Sequence, residues 1–138
     1  MLRDRIDSEA DLRRFIERAI RAESVWALKG EDGFAWCESN DHEGQDVIMF
    51  WSDRAYAERA RKSEFLEFTP IEISLFDFLF RWLPGMSKDK VLAGANWTGQ
   101  LIGIENDPNE LQGQIINYMP KDMINHYKVT FKNEIEAH

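Results

Sequence analysis

DVIMFWSDRAYAERA, residues 46–60, is the stretch of sequence that decides the fold. Val47–Trp51 is a short apolar run of strand length, rich in β-branched and aromatic side chains. Ser52 and Asp53 follow at once, and both residue types cap helix N-termini by accepting a hydrogen bond from an unpaired backbone N–H. With Ser52 as the cap, the preceding tryptophan and Tyr56 stand at the spacing of a hydrophobic staple. The sequence therefore predicts a buried strand that runs directly into a helix.

Upstream of this segment, the patterns predict one helix and two strands. Apolar residues recur with a helical period over Ser8–Ala22, with the serine as cap. Val25–Leu28 and Phe34–Cys37 are short apolar runs on either side of a turn that contains Asp32-Gly33, a strong hairpin dipeptide. Together with Val47–Trp51 they predict a three-stranded antiparallel meander.

Downstream, Phe65–Ile73 is predicted to be extended, with its proline at a sheet edge. Ser74 is expected to cap an apolar helix over residues 75–83 that Pro84-Gly85 ends. A second hairpin is predicted in which Val91–Asn96 and Leu101–Glu105 are joined across Thr98-Gly99.

One more helix is expected to begin at Asp107 and to stop at Pro120. This order of elements predicts an α+β fold, in which helices pack against a mostly antiparallel sheet made of a meander plus a hairpin.

The chain divides into a single α+β domain over residues 1–119 and a C-terminal extension over residues 120–138. In the extension, Tyr127, Val129 and Phe131 alternate with polar residues, which indicates a strand or a disordered tail that orders on contact. The 75–83 helix is apolar on nearly all sides, so it is expected to be buried or to meet a partner. A homodimer through this helix or through the tail is one interpretation.

Composition and charge exclude several classes of protein. No apolar run approaches the roughly 20 residues that cross a bilayer, and the N-terminus is charged where a signal peptide is apolar. A single cysteine, Cys37, excludes an intramolecular disulfide and a multi-cysteine zinc site. The net charge of −8 argues against nucleic acid as a partner, because phosphate neutralisation needs basic groups. We expect a cytoplasmic protein that binds no membrane.

Charge is distributed unevenly along the chain. Between Glu31 and Asp53 there are seven acidic residues and no lysine or arginine, whereas Arg54–Lys62 is mostly basic. One interpretation is a solvated loop beside a solvated helix face. The other is a docking surface for a basic protein partner, with Asp41, Glu43 and Asp46 as its acidic loop.

The sequence contains no recognisable catalytic constellation. Its glycines do not open a helix as a phosphate-binding loop requires, and Cys37 lies in a predicted strand, where free cysteines are usually small core residues. The acidic loop lacks the ligand spacing of a calcium EF-hand and has no second histidine for a transition metal. We therefore expect no catalytic residue, no metal and no cofactor.

Aromatic and polar residues gather at two predicted junctions. They are Trp51, Asp53, Arg54 and Tyr56 at the strand–helix corner, with Asn96 and Trp97 at the tip of the second hairpin. A structural interpretation buries Trp51, makes Asp53 a cap and pairs Arg54 with an acidic neighbour. A functional interpretation makes the set a binding patch, because Trp, Tyr and Arg often carry interface energy. Of these side chains, we expect Trp97 to be exposed.

Four segments, in order, resemble an uncharacterised bacterial family known as domain of unknown function 2750. They are VWALKGEDGFAWCESND (residues 25–41), VIMFWSDRAYAERA (47–60), PIEISLFDFLFRWLPGM (70–86) and VLAGANWTGQLIGIE (91–105). The resemblance covers roughly residues 8–115 and implies a small bacterial cytosolic α+β protein. The family has no established activity, so no catalytic residues carry over. The layout of the elements also looks like that of small secretion-associated and toxin-immunity domains.

The sequence does not identify a function, and it leaves two hypotheses. The first is a non-enzymatic interaction module, immunity- or adaptor-like, which presents the acidic loop to a basic protein partner. The alternative is a small-ligand binder or enzyme with a polar pocket at the Asp53–Arg54 corner.

Overall fold

The computed structural model of the protein describes residues 2–98, 101 and 103–137, with side chains from residue 9 onward. The helices are α1 (Leu2–Ala22), α2 (Arg54–Glu64), α3 (Leu75–Asp77), α4 (Leu83–Lys88), α5 (Pro108–Tyr118) and α6 (Lys121–Ala137), and a π-helical turn (Phe78–Trp82) joins α3 to α4. The strands are β1 (Ser24–Gly30), β2 (Gly33–Phe34), β3 (Trp36–Glu38), β4 (Asp46–Phe50), β5 (Thr69–Ser74), β6 (Leu92–Ala95) and β7 (Glu105–Asn106). Among the described helices, none combines the length and apolar character that crossing a membrane requires.

The described strands form two sheets. One has the order β2-β1-β5 and the other β3-β4-β6-β7. Neighbours are antiparallel throughout except for β4 and β6, which are parallel. The predicted α+β class, with mostly antiparallel strands and packed helices, is confirmed.

The predicted meander follows its expected path but is divided between the two sheets at Ala35. The backbone N–H of this buried residue donates to the Leu28 carbonyl in the first sheet, and its carbonyl accepts from the Met49 N–H in the second. An isolated antiparallel bridge between Trp26 and Trp51 also links the sheets. Three strands in sequence therefore do not form one three-stranded sheet.

The main core lies where α1, the α3–α4 segment and α5 cover the sheets. Its centre is aromatic: the Phe78 ring lies 4.8 Å from Phe50 and 6.0 Å from Phe15 between ring centroids, both in edge-to-face contact. All three side chains are fully buried. Such edge-to-face pairs stabilise beyond their buried area.

Two helix starts differ from their predictions. α1 begins at Leu2, so Ser8 lies inside the helix and is not its cap. α2 begins at Arg54 with Asp53 as N-cap residue, and the Asp53 side chain makes no capping hydrogen bond. Ser52 is therefore not the cap, because its hydroxyl bonds elsewhere, as described below.

Other terminal signals are confirmed. The Ser74 hydroxyl accepts a hydrogen bond from the Asp77 N–H at the start of α3, and the Asp107 carboxylate accepts from the N–H groups of Asn109 and Glu110 at the start of α5. β5 lies at a sheet edge, as its proline predicts. The second hairpin is confirmed only in part: β6 pairs antiparallel with β7, but β7 is Glu105–Asn106, so among the described residues of the predicted strand Leu101–Glu105 only Glu105 is in a strand. Gly99, half of its predicted turn, lies outside the described residues.

Pro84-Gly85 does not end the apolar helix, which continues to Lys88. The π-helical turn ends at Trp82, two residues before Pro84, and the N–H of the next residue, Leu83, donates to the Phe78 carbonyl five residues back. Proline has no backbone N–H to donate. Because the hydrogen-bond pattern changes just before Pro84, the helix can continue through this residue.

The C-terminal extension is a helix, α6, and neither a strand nor a disordered tail. Tyr127 is buried, and its ring lies 5.6 Å from Phe76, while Phe131 stacks on Phe80 at 4.9 Å. The extension thus covers the apolar 75–83 segment, which the sequence offered as a dimer surface. A helical period relates the apolar residues Met123, Ile124, Tyr127 and Phe131. This period could have predicted the helix from the sequence.

Candidate functional site

A hydrogen-bonded corner joins the end of β4 to the end of β6. The Ser52 N–H donates to the Asn96 side-chain oxygen at 2.8 Å, and the Asn96 amide nitrogen donates to the Ser52 hydroxyl oxygen at 3.0 Å. The Asn96 N–H donates to the Phe50 carbonyl at 2.8 Å. Asn96 adopts a positive φ of 53°, a conformation that asparagine tolerates better than most residues. Both side chains are buried, so this part of the corner holds the fold together.

Trp97 is buried, with 3% of its surface exposed, which overturns the expectation of an exposed tryptophan. Its indole N–H donates to the Ile104 carbonyl at 2.9 Å, and its ring lies directly on the backbone of Gly94 and Gly103. Trp51 is also fully buried, and its indole N–H donates to the Trp97 carbonyl at 2.9 Å. These two side chains pack the corner and do not present a binding face.

Asp53 and Arg54 do not face a common pocket. The Asp53 carboxylate accepts from the Ser52 hydroxyl at 2.7 Å and from Arg18 of α1 at 2.7 Å. The Arg54 guanidinium instead lies over the Trp26 ring, 5.5 Å from its centroid. The pocket predicted between them is therefore not formed by these two side chains.

A cleft opens beside the corner, on the Tyr56 side. It encloses about 210 Å³. We call it the arginine–tyrosine cleft, and the residues that line it are Asp11, Arg14, Tyr56, Arg59, Asn96, Trp97 and Thr98. Its arginines come from α1 and α2, and no sequence pattern pointed to either of them.

The acidic loop lies at the other end of β4. Asp41, Glu43 and Asp46 are all exposed there, and β4 separates the loop from the corner by about 15 Å at 3.3 Å per residue. Ser39 orders the loop, because its hydroxyl donates to Glu105 and accepts from the N–H groups of Asp41 and His42. The nine predicted site residues thus fall into two separate regions.

An apolar groove borders the acidic loop, and it was not among the sites predicted from the sequence. Its lining consists of the apolar residues Phe34, Trp36, Ile48 and Val91 together with Asp32 and Asp46. It encloses about 210 Å³. Trp36 lies directly opposite Ile48 in the β3–β4 pair, and 53% of its surface is exposed. We call this feature the acid-rimmed groove. The alternation of Phe34 and Trp36 with the better-covered Ala35 and Cys37 was the signal that could have revealed it.

Cys37 is half-buried on β3. Burial raises the pKa of its thiol, and the neighbouring carboxylates Glu105 and Asp46 raise that pKa further. A raised pKa lowers the fraction of thiolate, the nucleophilic form. Within the described part of the chain, no three His, Cys, Asp or Glu residues are grouped so as to hold a metal ion.

The comparison with protein families gives a match over most of the chain. Residues 12–115 match the family described as "Protein of unknown function (DUF2750)". The chain belongs to this family. The DUF2750 match spans the corner, the acidic loop, the groove and most of α5, and it excludes α6. A search of curated proteins gave no match for the chain. No solved structure matched it either.

Proposed function

We propose that this DUF2750 protein is a non-enzymatic interaction module, adaptor- or immunity-like, which docks a basic segment of a partner protein in the acid-rimmed groove. One observation carries the proposal. Trp36 lies half-exposed on the edge strand of a sheet, in a groove that two carboxylates also line. Tryptophan is the side chain most enriched among residues that dominate interface energies.

The floor of the groove supports an apolar anchor. Trp36 and Ile48 form a cross-strand pair, with Phe34 and Val91 beside them. The Phe34 ring packs edge-to-face on Trp82, with 4.7 Å between centroids, so the floor continues into the main core. A contiguous apolar surface with a polar rim is typical of an interaction site.

The rim favours a basic partner. Asp32 and Asp46 border the groove, and the loop adds the exposed Glu38, Asp41 and Glu43. Two lysines are nearby counter-charges: the ammonium group of Lys29 lies 5.9 Å from the Phe34 ring centroid, and Lys90 directly precedes the groove residue Val91. Carboxylates therefore dominate the local field, which would attract lysine and arginine and accelerate the encounter at low salt.

A peptide-display selection against the full chain tests this proposal. We expect selected peptides to combine several Lys or Arg residues with one large apolar residue, and to bind less tightly as NaCl is raised. Trp36→Ala should weaken the selected peptides by about tenfold or more, as expected for a central anchor. Asp32→Asn with Asp46→Asn should weaken binding mainly at low salt.

Leu66→Ala is the matched control, because Leu66 is a comparably exposed apolar residue, 69% exposed, outside the groove. It should leave affinity unchanged. Peptides without basic residues, or equal losses for Trp36→Ala and Leu66→Ala, would contradict the proposal. A pull-down from the native host with the same variants, at low and high salt, then identifies the partner.

We place this interaction in the cytoplasm as part of the proposal. The only cysteine of the chain is a half-buried free thiol, so the fold does not depend on an oxidising compartment. A homodimer remains a second proposal for the partner, and the outer face of α6 is now its candidate surface, because Val129 and Ile135 are exposed there. Light scattering of the full chain over a range of concentrations tests it.

A further inference from the structure

We propose that the arginine–tyrosine cleft binds a compact oxyanion, the phosphate or carboxylate group of a small molecule. This site is separate from the acid-rimmed groove, and the inference does not depend on the function proposed for that groove.

The two arginines of the cleft stand on different helices. Arg59 of α2 lies over the Tyr56 ring, 5.5 Å from its centroid, and no described carboxylate lies within ion-pair distance of it. Among the described residues, Arg14 of α1 forms an ion pair with Asp11 only, at 2.8 Å. With two guanidinium groups and one carboxylate, the cleft carries a formal charge of +1 on a chain of −8. An arginine without a carboxylate partner has its donor fork available for an oxyanion.

A chain of hydrogen bonds holds the wall of the cleft in place. Arg18 donates to the Tyr56 hydroxyl at 2.9 Å and to the Asp53 carboxylate at 2.7 Å. Asp53 is bonded in turn to Ser52, and Ser52 to Asn96. The Tyr56 ring that supports Arg59 is therefore tied to a buried network, which reduces the entropy that binding costs.

Asn96 adds a neutral donor. It is 6% exposed and lines the cleft, and its amide nitrogen makes one hydrogen bond, to the Ser52 hydroxyl. An amide nitrogen carries two N–H donors, so one is unused within the described chain. Two guanidinium groups and an amide N–H are donors suited to phosphate or carboxylate oxygens.

Size decides the class of ligand. About 210 Å³ is below the usual range for a drug-sized ligand, so the cleft suits an oxyanion with few additional atoms. The guanidinium groups of Arg18 and Arg59 each lie 5.5 Å from the Tyr56 ring centroid, and Trp97 is almost fully buried. Of the aromatic side chains described in the cleft, one is therefore already in contact with two cations and the other is buried, which disfavours stacking of a nucleotide base.

NMR titration of the full chain tests the proposal, following arginine side-chain N–H signals at constant ionic strength. Inorganic phosphate and acetate are the two probes. We expect saturable shifts with at least one of them, and the tighter probe identifies the group as phosphoryl or carboxyl. Arg59→Gln and Arg14→Gln should each weaken binding by about tenfold or more, and Arg59→Lys by less, because it keeps the charge and loses the fork.

Arg54→Gln is the matched control, since it removes the same charge from the same helix at the Trp26 ring, outside the cleft. It should change the affinity by less than about twofold. Shifts that do not saturate below about 10 mM for either probe would overturn the proposal. Equal weakening by Arg54→Gln and Arg59→Gln would also overturn it, because that result reports net charge alone.

Discussion

Asn96 joins two strand ends through its side chain while holding a left-handed backbone conformation. Asn96→Ala removes both side-chain bonds to Ser52, leaves the buried Ser52 N–H without its acceptor, and places at φ 53° a residue that tolerates this conformation less well than asparagine does. We expect a loss of about 2–4 kcal/mol in the free energy of unfolding, measured by urea denaturation. Asn96→Gly loses the same bonds without the strain, so it should be about 1 kcal/mol less damaging. Equal losses would show that strain contributes nothing here.

Two glycines should respond to the same substitution with opposite signs. A Cβ on Gly94 would lie 2.6 Å from the buried Trp97 ring, whereas a Cβ on Gly113, inside α5, would meet nothing within 4 Å. Gly94→Ala should destabilise the protein by about 1–3 kcal/mol through overpacking. Gly113→Ala should stabilise it by about 0.5–1 kcal/mol through helix propensity. Thermal unfolding of both variants checks the pair, and a stable Gly94→Ala protein would mean that Trp97 can move.

Tyr127 should make the protein sensitive to alkali. Burial, followed by the hydrogen bond it donates to Glu23 at 2.7 Å and the charge of that carboxylate, raises the pKa of this phenol. Above a pH of about 10 the unfolded chain releases this proton while the folded chain retains it, so stability falls as pH rises. Tyr127→Phe should lose about 0.5–1.5 kcal/mol at neutral pH and then show a shallower alkaline decline. Urea unfolding at pH 7 and above pH 10 compares the two slopes, and identical slopes would contradict the assignment.

At the scale of elements, the sequence predicts helix ends well where the capping bond is local. Ser74 and Asp107 bond to N–H groups two or three residues ahead, so the bond is visible in the pattern itself. Ser52 fails as a cap because its hydroxyl bonds to Asp53 and Asn96, and the second partner is 44 residues away. Local spacing cannot show that a residue distant in sequence will bond to the same hydroxyl.

The tail shows a different failure. The alternation of Tyr127, Val129 and Phe131 favoured a strand, but Val129 is exposed, and the residues that α6 buries follow the helical period. Tyr127 and Phe131 fit both the period of a strand and the period of a helix. The apolar surface of the α3–α4 segment, which α6 covers, decides in favour of the helix.

Truncation after Met119 tests whether residues 120–138 are a separable extension. It removes Tyr127 and Phe131 and exposes Phe76 and Phe80. We expect a loss of at least about 3 kcal/mol and concentration-dependent association, seen by thermal unfolding and light scattering. Truncation after Lys132 is the control: it keeps the aromatic contacts and removes the exposed Arg81–Glu134 pair, so it should cost less than about 1 kcal/mol. A monomeric chain of unchanged stability ending at Met119 would show that α6 is dispensable.

At the scale of the whole molecule, the sequence predicted the α+β class but only part of each candidate site. The acidic loop was visible because its carboxylates are neighbours in sequence. The arginine–tyrosine cleft was not visible in the sequence, because Arg14 and Arg18 come close to α2 only when α1 packs against the rest of the domain. Arg18, for example, is 38 residues from its partner Tyr56. Trp97 was misjudged because a turn beside it suggested solvent, whereas two glycine backbones receive its ring.

The parallel pairing of β4 with β6 has a kinetic consequence. These partners are separated by α2, β5 and the α3–α4 segment, so about 45 residues must be gathered before the pair can close. Distant pairings of this kind slow folding, because the chain loses loop entropy before it gains contacts. Until closure, the second of the two sheets that the aromatic α3–α4 segment packs against is incomplete, so a newly made chain is most prone to aggregate in that interval. The lifetime of that open species, and not the depth of the final energy well, should set the yield of refolding.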